Sequence, residues 1–279
     1  MAISNFIPTV WSEKMLHALD KNYIAIANSN RDYEGDIREK GNKVRICGLE
    51  AITIGNYFKN QDIDYPEELN DNYTELEIDQ AKYFNFLIDD VDQAQCNPHL
   101  MDLAVQNAAR ALANVAERHV YSFVTESAHF VENMTPSADN IIDTLIDART
   151  KLLKEDVVDP SDIVIEVAPE VAGMILKAKV ALSTDNTDSL ENGCIGNIGG
   201  CKIYVSSNIA TVMDGTTKVA MCVARTRRAI AFAEQLSEVE AYRPELRFAD
   251  GMKGLHLYGV KVVYPREMVS VNIALPAED

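Results

Sequence analysis

The sequence predicts a mixed α+β fold organised around one long helix, and three observations carry that expectation. The first is the stretch 93–126. Leu100, Ala104, Ala108, Ala111, Leu112, Val115, His119 and Phe123 recur there close to the 3.6-residue helical period. The second is a pair of alternating stretches, Lys43 to Cys47 and Thr74 to Asp79, which read as half-buried strands. The third is a C-terminal half in which short apolar runs alternate with turn signals.

Taken in order, the first 36 residues lack a long period. Phe6, Ile7, Val10, Trp11, Met15 and Leu16 are apolar, and Trp11 is the chain's single tryptophan. An arm too short to enclose a core must bury such residues on its own body or on a neighbour. The two early strands are joined by a long acidic connection carrying Asp62, Asp64, Glu67, Glu68 and Asp71, which points to a projecting hairpin. Phe84-Asn85-Phe86 extends the second strand's alternation.

The long helix follows, with Asn97-Pro98 as its start signal and a span from Pro98 to Glu126 of roughly 40 Å. Its Ala-rich stripe is the expected inner face. His119 on that stripe reads as a satisfied core histidine, and Arg110 and Arg118 lie off it. Ser137 is the expected cap of a second helix through Lys154. Asp159-Pro160-Ser161-Asp162 marks a turn, Ile163 to Val167 a strand, and Pro169 the start of a helix to about Lys179. The stretch 183–200 reads as a polar, then Gly-rich loop. Further strands are expected at Lys202 to Val205, Val219 to Val223 and Ala229 to Phe232. Closing strands are expected at Leu255 to Val263, broken by Gly259, and Met268 to Leu275.

The 279 residues are 47% hydrophobic with a net charge of −17, enough apolar content for a sizeable core and the wrong sign for binding nucleic acid. No basic region followed by an apolar run opens the chain, so no export signal is expected, and no stretch is long enough to span a membrane. The five cysteines are irregularly spaced and read as free buried thiols; Cys194 and Cys201 are the alternative pair, across the Gly-rich stretch.

The sequence points to no enzyme. It lacks His-Glu-x-x-His, Gly-x-Ser-x-Gly, paired Cys-x-x-Cys and a dinucleotide fingerprint, and its five histidines are scattered. Gly196-Asn197-Ile198-Gly199-Gly200 lacks the Lys-Ser/Thr of a phosphate loop, so no nucleotide or other cofactor is expected. Asp89, Asp90 and Asp92 lack a loop of EF-hand spacing, so no metal is expected.

Six groups of segments stand together in order along the chain: Ala2 to Leu16, Asp32 to Ile37, Gly41 to Ile46, Ile78 to Phe86 running on to Asp89 to Gln95, Gly196 to Gly200 with Tyr204 to Asn208, and Gly254 to Gly259. Together they resemble the major capsid proteins of tailed bacteriophages, with the Hong Kong 97-like fold. The resemblance implies an N-terminal arm at 1–36 and an extended β-hairpin loop at 37–90. It implies a peripheral domain with a long spine helix at 91–159, an axial domain at 160–253, and a return to the peripheral domain at 254–279. It implies self-assembly into pentamers and hexamers of an icosahedral phage head in the virion, built in the host cytoplasm and enclosing double-stranded DNA without specific binding. A separate scaffolding protein, a portal and a decoration protein are the implied partners. An encapsulin-type compartment is the runner-up, and a soluble α/β enzyme the alternative of another class. Some relatives cross-link through Lys and Asn, for which Lys59 and Asn272 are the candidates, although nothing local marks them as reactive. The expected inter-subunit contacts are Trp11 at a buried contact, and Glu67, Glu68 and Asp71 facing Arg110 and Arg118 of an adjacent copy.

Overall fold

The computed structural model describes residues 15, 17–20, 22–33, 43–49, 56, 59, 62, 71–90, 100–155, 157, 160–178 and 194–275. Strands β1 (Lys43–Leu49) and β2 (Asp71–Glu77) pair antiparallel over seven residues, from Lys43 opposite Glu77 to Leu49 opposite Asp71. This is the expected hairpin. It ends where β3 (Gln80–Asp89) begins, so Phe84 and Phe86 belong to a different sheet from the one their alternation extends.

Helix α1 (Leu100–Ser122) continues into a 3-10 turn to Glu126 and spans about 35 Å. Its inner stripe is displaced from the expected one. Val105, Ala109, Leu112, Ala113, Ala116, Val120 and Val124 are buried, whereas Ala111 and Val115 are exposed. The physical reason is Glu117. This carboxylate is 1% exposed and sits in the true stripe, where a search for apolar periodicity skips over it. His119 differs too. It is half-buried, 5.2 Å from the Phe123 ring and 5.7 Å from that of Tyr258, and among the described residues its Nε2 has no hydrogen-bond partner. Burial lowers its pKa, which favours the neutral ring.

Strand β4 (His129–Asn133) leads to α2 (Ile141–Lys154). Asn140, and not Ser137, organises the start of α2: its Oδ1 accepts from the Ser137 N–H at 2.8 Å and its Nδ2 donates to the Thr135 carbonyl at 2.9 Å. Strand β5 (Ile163–Val167) is buried at every position, and α3 (Pro169–Lys177) starts with Pro in its first turn, as expected. The Gly-rich stretch is a hairpin rather than a loop, because Gly199 and Gly200 adopt φ of +59° and +89° and form a two-residue turn between β6 (Cys194–Ile198) and β7 (Cys201–Val205). Cys194 lies opposite Tyr204 and Cys201 opposite Ile198, so register keeps the two thiols apart; both are free, as is Cys222.

Strands β8 (Thr211–Asp214), β9 (Thr217–Thr226), β10 (Ile230–Tyr242), β11 (Ala249–Val262) and β12 (Met268–Ala274) complete the fold. β11 passes through Gly259 unbroken. A Cβ there would lie 2.2 Å from the Glu77 carbonyl oxygen, so this glycine serves close approach to the hairpin rather than a turn.

The large sheet runs β4-β12-β9-β5-β7-β6, with β8 beside β9; the second sheet runs β10-β11-β3. One hydrophobic core joins α1, α2 and α3 to both sheets, and a smaller cluster of Val44, Ile46, Leu76, Ile78, Ala231, Ala233 and Leu257 holds the hairpin. The expected boundary at 253/254 falls inside β11. β12 lies in one sheet with β5, β7 and β9, and β10 pairs with β11 in the other.

Candidate assembly surface

The chain's first described segment is locked to the body. Met15, Leu19, Tyr23, Ala25 and Ile26 are buried in the main core. Two buried carboxylates then fix residues 24–28. Glu117 of α1 accepts from the backbone N–H groups of Ile24 and Ala25, and from Asn208 Nδ2 at 3.0 Å. Glu166 of β5 accepts from Asn28 Nδ2 at 3.1 Å and pairs with Arg225 of β9 at 3.1 Å, both members of the pair being fully buried. Arg225 also donates to the carbonyls of Asn28 at 2.9 Å and Ala25 at 2.7 Å. Burial raises the Glu117 pKa against the lowering effect of its donors. A third carboxylate, Glu234, accepts from Tyr23 Oη at 2.6 Å and Arg31 at 2.9 Å, and lies 2.8 Å from His256 Nε2. Local pattern carries little signal for any of these groups, since each partner lies far along the chain.

Leu103, Asn107, Arg110, Ala111, Val115 and Arg118 form the outer face of α1. Beside it, Tyr83 and Leu87 stand exposed on β3. A groove of about 760 Å³ runs between strand and helix, lined by Phe84, Phe86, Ala104 and Ala108 among others. Phe84 and Leu87 also fold back over Gly254 and Gly251 of β11, where any Cβ would collide with them.

Of the sequence-predicted contact residues, Arg110 and Arg118 lie exposed on α1, two turns and about 12 Å apart along its axis. Arg118 Nε donates to Asn208 Oδ1 at 3.3 Å. Arg110 borders a hollow with His17, Asn22, Asp102 and Gln106. Asp71 opens β2, opposite Leu49. Its side chain, together with Trp11, Glu67, Glu68 and the start signal Asn97-Pro98, lies outside the described residues. Asp90 pairs with Arg243. Lys59 is exposed, and Asn272 lies on β12 opposite Glu132 and Met221. Among the described residues, no three His, Cys, Asp or Glu side chains are placed to hold a metal, and no helix is long and apolar enough to cross a membrane.

Residues 73–271 match the phage capsid protein family. The chain belongs to that family. As a phage capsid protein it is similar to the structure of Mycobacterium phage Che8, with 29% identity, a TM-score of 0.67, and coverage of 89% of this chain and 90% of that one. The capsid of Ralstonia phage GP4 shares the fold at 10% identity, with a TM-score of 0.69 and coverage of 90% and 87%. The virus-like particle from Pyrococcus furiosus shares it at 11% identity, with a TM-score of 0.58 and coverage of 96% and 100%. No curated protein matches the sequence. This capsid protein is thus a structural shell subunit with the Hong Kong 97-like fold, found in the virion.

Proposed function

We propose that copies of this chain close into pentamers and hexamers of an icosahedral phage head around double-stranded DNA. The observation that carries the reading is the β1–β2 hairpin, whose Val44, Ile46 and Leu76, with the adjoining Ile78, pack with Ala231, Ala233 and Leu257 of the second sheet and whose last described pair is Leu49 and Asp71. In this reading the acidic residues Glu67, Glu68 and Asp71 reach over an adjacent copy towards Arg110 and Arg118, beside the open α1–β3 groove. Trp11 is buried at a contact between copies.

The sheet topology supports redrawn domains. The peripheral domain takes α1 with the β10-β11-β3 sheet, and the axial domain takes the large sheet with α2 and α3. The net charge of −17 fits a container whose walls release DNA rather than hold it. A separate scaffolding protein and a portal are the expected partners during assembly in the host cytoplasm, and a decoration protein is a further candidate. Electron microscopy of the purified protein, expressed with and without its scaffold, tests the reading. Closed shells or curved sheets are the expected result, and a small oligomer under every condition overturns it.

A further inference from the structure

Among the described residues, the face of the large sheet that carries Arg225 and Glu166 is covered over only part of its area. Strand alternation puts Arg225, Val223, Met221 and Val219 of β9 on one face. Register adds Asn272, opposite both Met221 and Glu132, and Val212, opposite Val219. Residues 24–28 close over the Arg225 end. At the other end the described residues leave a groove of about 340 Å³, lined by Glu132, Met134, Val212, Asp214, Val219 and Met221 among others.

The lining has a definite chemistry. Its floor is two methionines and two valines, and methionine adapts to irregular apolar stems. Its polar groups include two exposed carboxylates, Glu132 and Asp214, and no basic side chain. That combination fits a long side chain with an apolar stem and a cationic tip. We propose that this groove receives a lysine or arginine side chain from a second copy of the chain. The choice of a second copy rests on the self-assembly reading above; the cation preference rests on the lining alone.

Two measurements separate these layers. In the first, the unassembled subunit labelled at its methionine methyl groups is titrated with Nα-acetyl-lysine N-methylamide, and with the same probe acetylated at Nζ. The Met134 and Met221 resonances are expected to move with the cationic probe. The neutral probe, and the Glu132→Gln plus Asp214→Asn variant, are expected to bind about fivefold more weakly, the scale of an exposed ion pair. No movement, or equal movement with both probes, overturns the proposal. In the second, Glu132→Lys plus Asp214→Lys is expected to abolish shells in micrographs, while Asp139→Lys plus Glu245→Lys, with the same charge change elsewhere on the surface, retains them. Normal shells from the first variant overturn the second copy as occupant, and shells lost only when scaffold is required assign the groove to the scaffold instead. A wild-type chain that never forms shells defeats the self-assembly reading, while the titration still decides the groove.

Discussion

Arg225 and Met221 stand on the same face of β9, four residues apart, in opposite surroundings. Arg225 is fully buried, paired with Glu166 and donating to two carbonyls of residues 25–28. Met221 faces an open groove with two carboxylates at its edge. The strand is continuous and the backbone geometry is the same at both sites, so what differs is the cover. Where the chain lays its own segment over the sheet, it supplies the backbone carbonyls that a buried arginine needs. Where no described segment lies over it, the surface keeps an apolar floor edged by Glu132 and Asp214. Cover thus separates what stabilises one subunit from what is left to join two.

The largest effect is expected where cover is complete. Arg225→Ala strands Glu166 in the interior and should cost about 3–5 kcal/mol, read by denaturant unfolding of the unassembled subunit. Replacing both partners with apolar residues, Arg225→Met with Glu166→Leu, should recover much of that loss, although the carbonyls of Ala25 and Asn28 still lose their donor. Gly259→Ala comes next. The new Cβ collides with the Glu77 carbonyl, and about 1–3 kcal/mol of overpacking is expected, seen as faster proteolysis in the hairpin than in the body.

Glu117 gives a smaller effect with a definite sign. Burial raises its folded pKa above the unfolded value, so the folded state holds this proton more tightly. Its stabilising contribution is full below the unfolded carboxyl pKa of about 4.3 and is lost as pH rises through the raised folded value. Glu117→Gln should flatten that part of the stability–pH curve, and an unchanged slope would place the titration elsewhere. On the open side, Glu67→Lys with Glu68→Lys should leave subunit stability untouched and weaken assembled particles, since exposed pairs contribute only about 0.2–1 kcal/mol each. Particles with wild-type melting would remove that contact. The smallest effect is chemical: burial pushes the Cys222 thiol up to about 12, so it should react with thiol reagents only after unfolding.

Local pattern made much of the fold legible. The hairpin, α1, β5 and α3 announced themselves through alternation, helical period or a proline at a helix start, and the composite resemblance led to the right family. The misreadings share a cause. Glu117 sits in the buried stripe of α1 because backbone amides from residues 24 and 25 reach it, a contact across more than 90 positions. The glycines at 196–200 read as a loop because sequence does not show that two positive-φ residues form a tight β-turn. Gly259 read as a break because its real neighbour, the Glu77 carbonyl, lies on another strand. The groove at Met221 left no local trace, since register alone assembles it from four strands.

Residues 24–28 have one further consequence. They grip the spine helix through Glu117 and the large sheet through Arg225, so a pull on the amino end of the chain is shared between two layers at once. The hairpin hangs from a small patch of alanine and branched aliphatic side chains. Under load the trunk of each copy should therefore move as a single stiff block, with the flexing left to the hairpin.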